Sequence, residues 1–370
     1  MDPLTQGVLG ATLPQSVSRR GDTLGAGLLG LLAGMAADLD VLIRSANDPL
    51  LFLEYHRQFT HSLIFIPLGG VLCALVLHGL VGRRRGFSFS RSALFCTLGY
   101  ATHAVLDACT TYGTMLFWPF SSSRIAWNTI SIIDPLFTLP LLALVLAAAI
   151  RSQPKFARLG LIWALVYMGL GLWQRGEAEA LGQQIAAYRG HQPLRLEAKP
   201  SFGNILLWKV VYQTQDRFYV DAVRTGFAPQ VFPGDSIAKL DVGRDLPWLD
   251  GQSQQAVDVQ RFSWFSNGYV ARDPLNSYRV IDIRYSMLPN ELVPLWSIEL
   301  DPMATVDQHV HYRTHRQKPG ESLGRMWAML ASAAGAVPLH NLVQQAESDS
   351  RPDSGTAGPV QRATELGAQQ

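Results

Sequence analysis

Charge is scarce in this chain. Asp, Glu, Lys and Arg together make up 16% of its 370 residues, against roughly a quarter in a soluble protein. That deficit points to lipid as part of the solvent. Cysteine is scarcer still. Cys73, Cys96 and Cys109 all fall in apolar stretches and the polar half has none, which excludes a disulfide framework without deciding the compartment. An excess of one sign of charge is also missing: 31 basic against 29 acidic residues leave a net +2, too little to argue for a nucleic-acid partner. The opening Met1-Asp2-Pro3 lacks a basic leader region, so no cleavable signal peptide is expected. No internal repeat is visible.

What the chain does have is a block of long apolar runs confined to residues 1–174. The clearest span runs from Ser62 to Val81 and is closed by Arg83, Arg84 and Arg85. Others are expected over Leu24–Val41, Ser92–Tyr112, Pro135–Ile150 and Leu159–Trp173. The first run, Leu4–Leu13, is shorter than the ~20 residues a span needs and suits a half-depth helix. Nine basic residues, Arg19 to Arg158, fall in one set of connections, and only Arg44, Arg57 and Arg124 in the opposite set. The positive-inside rule makes the nine-charge side cytoplasmic. The polar C-terminal half is then extracytoplasmic, and Phe117-Trp118-Pro119-Phe120 suits an aromatic belt on that face.

Beyond Arg195 the pattern changes to short β-branched and aromatic runs separated by turn residues: Leu206–Gln213, Phe218–Arg224, Tyr278–Tyr285, Pro294–Leu300 and His309–Thr314. The expected architecture is an α-helical membrane bundle of five to six membrane helices, the first one short, followed by a small, mostly antiparallel β domain and a disordered tail. Its parts are a membrane-embedded bundle over 1–174 and an extracytoplasmic α+β domain over 175–320, entered through a helix near Arg175–Tyr188. A short apolar helix over 321–344 and a Ser-, Gly- and Gln-rich tail over 345–370 complete it.

Seven ionisable residues lie at or inside the apolar runs: Asp38, Asp40, His56, His61, His103, Asp107 and Asp134. A lone carboxylate in hydrocarbon costs several kcal/mol unless it is paired or bound to a cation, so such residues take a functional reading first. Carboxylate with neutral imidazole is the ligand set of hydrolytic zinc or manganese sites. His103 and Asp107, four apart on a helix, share a face and can reach one ion. His56 and His61 are five apart and converge only through a turn; otherwise each is an interfacial histidine capping a helix. Asp38 and Asp40 follow a small-residue run that allows close helix approach, with water-facing helix-end carboxylates as the alternative. Asp134 precedes Pro135, where an N-cap explains it fully and a ligand or supporting role is the alternative. Arg57 could hold an anionic substrate bidentately or simply be solvated. Glu54 reads as a loop residue before it reads as a general base. His78 lies near the opposite end of its helix, and His309, His311 and His315 read as a wet polar face rather than a second metal site.

The stretches MDPLTQGVLGA, ADLDVL, YHRQFTHS, HAVLDACTTYGTMLFWPFSSSR and the IIDP ending at Pro135 resemble the YdjM-type family of bacterial membrane-bound, metal-dependent hydrolases over roughly residues 1–140. The resemblance implies Asp38, Asp40, His56, His61, His103 and Asp107 as metal ligands, with Asp38, Arg57 and Asp134 as catalytic candidates. It implies a divalent ion, zinc first and manganese second. One position departs: where many relatives carry Thr-His, this chain has Thr5-Gln6. The order Asp…His…HxxxD is also distantly similar to the zinc phospholipase C and P1 nuclease group, which cleave phosphoesters. The expected function is hydrolysis of a phosphoester or other lipid-linked, amphiphilic substrate at the outer face of the inner membrane. The expected partners are the lipid bilayer and that substrate, with no nucleic acid and the oligomeric state open. The rivals are an ion- or proton-coupled transporter that uses the Asp/His set as a relay, and a membrane anchor for a β domain that binds an envelope partner.

Overall fold

The computed structural model describes residues 1–315, 319–333 and 335–338. The helical region starts with α1 (Pro3–Val17), which Asp2 caps by accepting the Thr5 N–H at 3.0 Å, with Pro3 pre-set for the first turn. Next come α2 (Thr23–Met35), prolonged as a 3₁₀ helix over Ala36–Leu42, and the single turn α3 (Leu51–Tyr55). Helix α4 (Ile66–Leu77) is prolonged to Arg85 by a π turn and a 3₁₀ turn. Helices α5 (Phe89–Cys109), α6 (Pro135–Arg151) and α7 (Pro154–Tyr188) follow.

Three helical segments are long and apolar enough to cross a membrane among the described residues: Thr23–Leu42, Leu63–Arg85 and Pro154–Tyr188. This corrects the expectation of five to six spans. Helix α6 has 17 residues and α1 has 15, short of the ~20 a span needs. Helix α5 is long enough at 21 residues but carries Thr97, Thr102, His103 and Asp107 along its length. On α4, Leu68, Leu72, Leu75 and Val76 are exposed, and on α7 so are Ile162, Leu165, Val166 and Trp173. Large apolar side chains at helical spacing with nothing packed on them are the surface that acyl chains cover.

Small residues hold α1, α2 and α5 together. A Cβ on Gly10 would stand 2.7 Å from the Gly30 carbonyl oxygen and 2.9 Å from the Gly34 Cα. A Cβ on Gly99 of α5 would stand 2.6 Å from the Gly30 Cα. These backbones touch with no side chain between them, as in small-residue membrane interfaces. That contact sets the distance from α5 to the 3₁₀ segment carrying Asp38 and Asp40.

Helix α7 runs through residue 174 without a break, so the helix expected near Arg175–Tyr188 is its C-terminal half. It packs on an antiparallel sheet of β1 (Arg195–Pro200), β2 (Leu207–Gln213), β3 (Arg217–Arg224) and β4 (Gln230–Phe232) in that order. A short β5 (Ser236–Ala238) also pairs with β3. After α8 (Val242–Asp245) and α9 (Gln254–Phe265), a second antiparallel sheet runs β6 (Val270–Asp273), β7 (Asn276–Asp282), β8 (Trp296–Glu299) and β9 (His311–Thr314). Helix α10 (Pro319–Ala331) closes the described chain over Leu207, Ala222 and Phe232 through Met326 and Met329. It is shorter than the helix expected over 321–344, whose residues 339–344 lie outside the described residues, as does the expected tail 345–370.

The two regions share apolar cores. One core joins Leu106, Phe137 and Leu141 of the helices to Ile185, Trp208 and Val210. Another seats Leu50 and Leu53 against Val259, Phe262 and Ile298. Beside it, Arg261 of α9 pairs with Asp48, Glu54 and Asp258 at 2.8, 2.5 and 2.9 Å. The β region therefore grips the loop that enters the site. Replacing Gly30 by Val should lower stability by about 3 kcal/mol through overpacking. Gly79→Ala, where a Cβ meets nothing within 4 Å, should change it by well under 1 kcal/mol; thermal unfolding in detergent checks both.

Candidate metal centre

The site assembles from three places in the chain. The 3₁₀ segment after α2 supplies Asp38 and Asp40, the loop between α3 and α4 supplies His56, Arg57, Thr60 and His61, and α5 supplies His103 and Asp107. Asp40, His61, His103 and Asp107 are buried, and the Asp38 side chain retains 27% exposure. One donor atom from each of Asp38, His61, His103 and Asp107 lies within 4.8 Å of all the others, and a second set, Asp38, Asp40 and His56, shares Asp38.

His103 Nδ1 lies 2.5 Å from the Gly34 carbonyl oxygen. A carbonyl only accepts, so Nδ1 carries the hydrogen and Nε2 keeps its lone pair. His61 Nδ1 is 3.2 Å from Asp40 Oδ2 and 3.0 Å from Thr60 Oγ1. The Thr60 hydroxyl already donates to Asp40 Oδ2 at 2.6 Å, so the same tautomer follows for neutral His61. The two bare Nε2 atoms then face each other at 3.0 Å, each 3.4 Å from Asp38 Oδ1. Asp107 Oδ2 lies 3.4 Å from His61 Nε2 and is paired with the Arg57 guanidinium at 3.0 Å. Arg57 and the Met1 ammonium offset the charge of Asp107, and a cation among the two imidazoles and Asp38 would satisfy the donors that remain. The donor set fits a divalent ion of the zinc or manganese kind.

The surrounding groups hold the donors in place. Asp40 accepts from His56 Nδ1 at 2.7 Å, the Arg57 backbone N–H at 3.0 Å and Thr60 Oγ1, so one carboxylate orders the whole loop. Arg57 adopts a left-handed backbone with φ 66°, a strained conformation for a non-glycine residue. The strain is sustained because its backbone meets Asp40 while its side chain pairs with Asp107 Oδ2 at 3.0 Å and donates to Thr110 Oγ1 at 3.2 Å. Gln6, at the position noted as a departure, is fully buried in the same wall. Its Nε2 donates to Asp107 Oδ1 at 2.8 Å, and its Oε1 has no partner. The Met1 nitrogen lies 2.6 Å from the same Oδ1.

All six sequence-derived ligand candidates therefore meet, in two overlapping sets, and Arg57 adjoins them. Asp134 is held elsewhere: its Oδ1 accepts from the Leu136 and Phe137 N–H groups at 3.1 and 3.3 Å, and its Oδ2 from the Tyr167 hydroxyl at 2.8 Å. It is the cap of α6 and no part of the donor sets. Glu54 is engaged by Arg261 and His78 by Ser92. His309 contacts Asp258 and His315 contacts Ser297, so the three C-terminal histidines do not converge. Thr60 and Gln6 are the site residues the sequence did not single out for a role. The signal for Thr60 was its place beside His61 in the HRQFTH stretch.

The fold and the site define a helical membrane protein with a buried carboxylate–imidazole cluster able to hold a cation. Residues 1–178 match the family described as YdjM inner membrane protein. It is 32% identical over 109 residues to the inner membrane protein YbcI of Escherichia coli strain K12, a match covering 28% of this chain and 60% of that protein. It is 27% identical over 140 residues to the uncharacterized protein YfhP of Bacillus subtilis strain 168, covering 38% of this chain and 42% of that one. The chain thus spans less than two thirds of either relative. No solved structure matches.

Asp134→Ala should cost about 1–2 kcal/mol of stability through loss of the cap. It should leave the His61–His103 geometry intact, which thermal unfolding and histidine NMR shifts would check.

Proposed function

We propose that the protein is a membrane-bound, metal-dependent hydrolase of a phosphoester or other lipid-linked substrate, with its site at the extracytoplasmic face of the inner membrane. The observation that carries this reading is the approach of the His61 and His103 Nε2 atoms to 3.0 Å of each other, flanked by Asp38 and Asp107. Asp38, His61, His103 and Asp107 would hold the first ion, and Asp38, Asp40 and His56 form the second donor set. A bound zinc or manganese ion supplies Lewis acidity and lowers the pKa of a coordinated water to about 7.

The chain's own groups perform the remaining tasks. Asp38, the partly exposed carboxylate of the first set, can take a proton from water arriving at the cluster. Arg57 balances the charge of Asp107 and lies beside the approach, where its guanidinium can steady a negative oxygen. Asp40 and Thr60 fix the tautomer of His61, so its Nε2 stays a donor of electrons rather than of a proton.

The transporter alternative needs a polar path continuing past His103 into the bundle. Below it the α1, α2 and α5 backbones meet through Gly10, Gly30, Gly34 and Gly99 with no space for one, which favours a site open on one side.

Metal analysis of the detergent-purified chain tests the reading. Wild type should carry at least one equivalent of zinc or manganese, His103→Ala and Asp107→Asn should lose it, and Asp134→Asn should keep it. Wild type without metal after supplementation would refute the hydrolase reading. Thr60→Val should weaken zinc affinity on the order of 10-fold, as expected for a group that orients a ligand, measured by competition with a chelator.

A further inference from the structure

Between the helical region and the β region lies a cavity of about 210 Å³, bounded by His56, Arg57 and Tyr112 on one side and Phe265, Trp296 and Tyr312 on the other. Arg124 stands between the two walls. It also lines an adjoining hollow of about 490 Å³, which adds Arg175, Arg195 and Lys199. Nearly all these cations have a carboxylate: Arg175 pairs with Glu179, Arg195 and Lys199 with Glu197, and Arg57 with Asp107. Arg284, which also lines the hollow, pairs with Asp282. Arg124 does not. Its two Nη atoms donate to the Leu53 and Gly113 carbonyls at 3.4 and 3.0 Å, and its buried Nε has no partner. No ion pair joins it to any carboxylate among the described residues.

A desolvated guanidinium without a counter-charge is costly, and an oxyanion ligand would supply the missing charge in the bidentate geometry Arg favours. Burial, reinforced by the nearby Arg57 and Arg284 charges, pushes the Arg124 guanidinium down to about 9, so this corner is electropositive. Phe265 and Trp264 lie against the guanidinium plane, 5.2 and 5.8 Å from its centre to theirs, and fix its orientation. The rest of the cavity is an aromatic box: Tyr112 stacks on Tyr285 at 4.8 Å and meets Trp296 at 5.3 Å, and Phe52 meets Tyr312 at 5.1 Å. One unpaired guanidinium beside aromatic walls matches an oxyanion attached to an apolar body. The cavity also borders the cluster directly, because His56 and Arg57 line it while contacting Asp40 and Asp107.

We propose that Arg124 anchors the phosphate-type oxyanion of the substrate in this cavity, with Phe265, Trp296 and Tyr312 of the β region covering its apolar part. The proposal rests on the hydrolase reading for the reaction that follows, but not for the binding itself. The anion could come from a lipid headgroup or from a soluble phosphoester.

The test uses the full chain in maltoside detergent with a chelator present, so that no metal contributes to binding. Tryptophan fluorescence, with Trp296 in the cavity wall and Trp264 beside Arg124, is titrated with inorganic phosphate and with dioctanoyl phosphatidate. Saturable binding of at least one probe is expected, weakened 10-fold or more in Arg124→Gln. A lipid headgroup predicts phosphatidate at least 10-fold tighter than phosphate, and a loss of that margin in Trp296→Leu. A soluble phosphoester predicts similar affinities for both probes. Should Arg124→Gln not fold, Arg124→Lys, which keeps the charge without the planar fork, should still weaken binding several-fold. Absence of binding by wild type, or equal affinity in the Arg124 variants, overturns the proposal. Metal content measured separately on untreated samples distinguishes the two readings. Arg124-dependent binding by a chain that never carries metal sustains the anchor and defeats only the hydrolase reading.

Discussion

Carboxylates buried beside a membrane bundle must be compensated, and the arrangement of the helical half follows from that constraint. Asp40 and Asp107 are almost fully buried. Each is surrounded by donors drawn from distant parts of the chain: Asp40 by His56, Arg57 and Thr60, Asp107 by Arg57 and Gln6. The glycine contacts among α1, α2 and α5 bring the two carboxylates near enough to serve one cluster. The left-handed backbone of Arg57 lets a single residue address both, its main chain bonding Asp40 and its side chain Asp107. What these donors leave unmet is the meeting of the His61 and His103 Nε2 atoms, where the cluster is able to hold a cation.

The β region completes the site in a second way. Its α9 holds α3 and the loop preceding it through Arg261, and its aromatic side chains form the far wall of the cavity above His56 and Arg57. Ligand donors thus come from the helical half, while shape and apolar contact come from the other. A donor cluster supplied by one region and an aromatic wall supplied by another would let the wall vary without disturbing the donors.

How much of this was legible in the sequence depended on how local the signal was. His103 and Asp107 share a helical face, so their spacing alone placed them together. His61 and Asp38 could be placed only by resemblance, because they join through a turn and a 3₁₀ segment whose direction no periodicity reveals. Asp134 preceding a proline was legible as a cap, and the cap is its observed role. The count of spans was overestimated because α6 stops at 17 residues and α5, long enough at 21, loses apolar character to Thr97, Thr102, His103 and Asp107. Strand β1 and helix α9 were not anticipated. Helix α9 reads as polar because only one face of it is buried, and β1 alternates charged residues with Leu196, Ala198 and Pro200. The aromatic wall and the unpaired Arg124 depend on contacts across more than 100 residues, which the linear sequence does not display.

The most direct measurement is X-ray absorption at the metal edge of the purified full chain. It reports the ligands themselves rather than the presence of metal. The account predicts a shell of nitrogen and oxygen only, with the multiple-scattering signature of imidazole that weakens in His61→Ala. A sulfur shell, or a metal with no imidazole contribution, would contradict it.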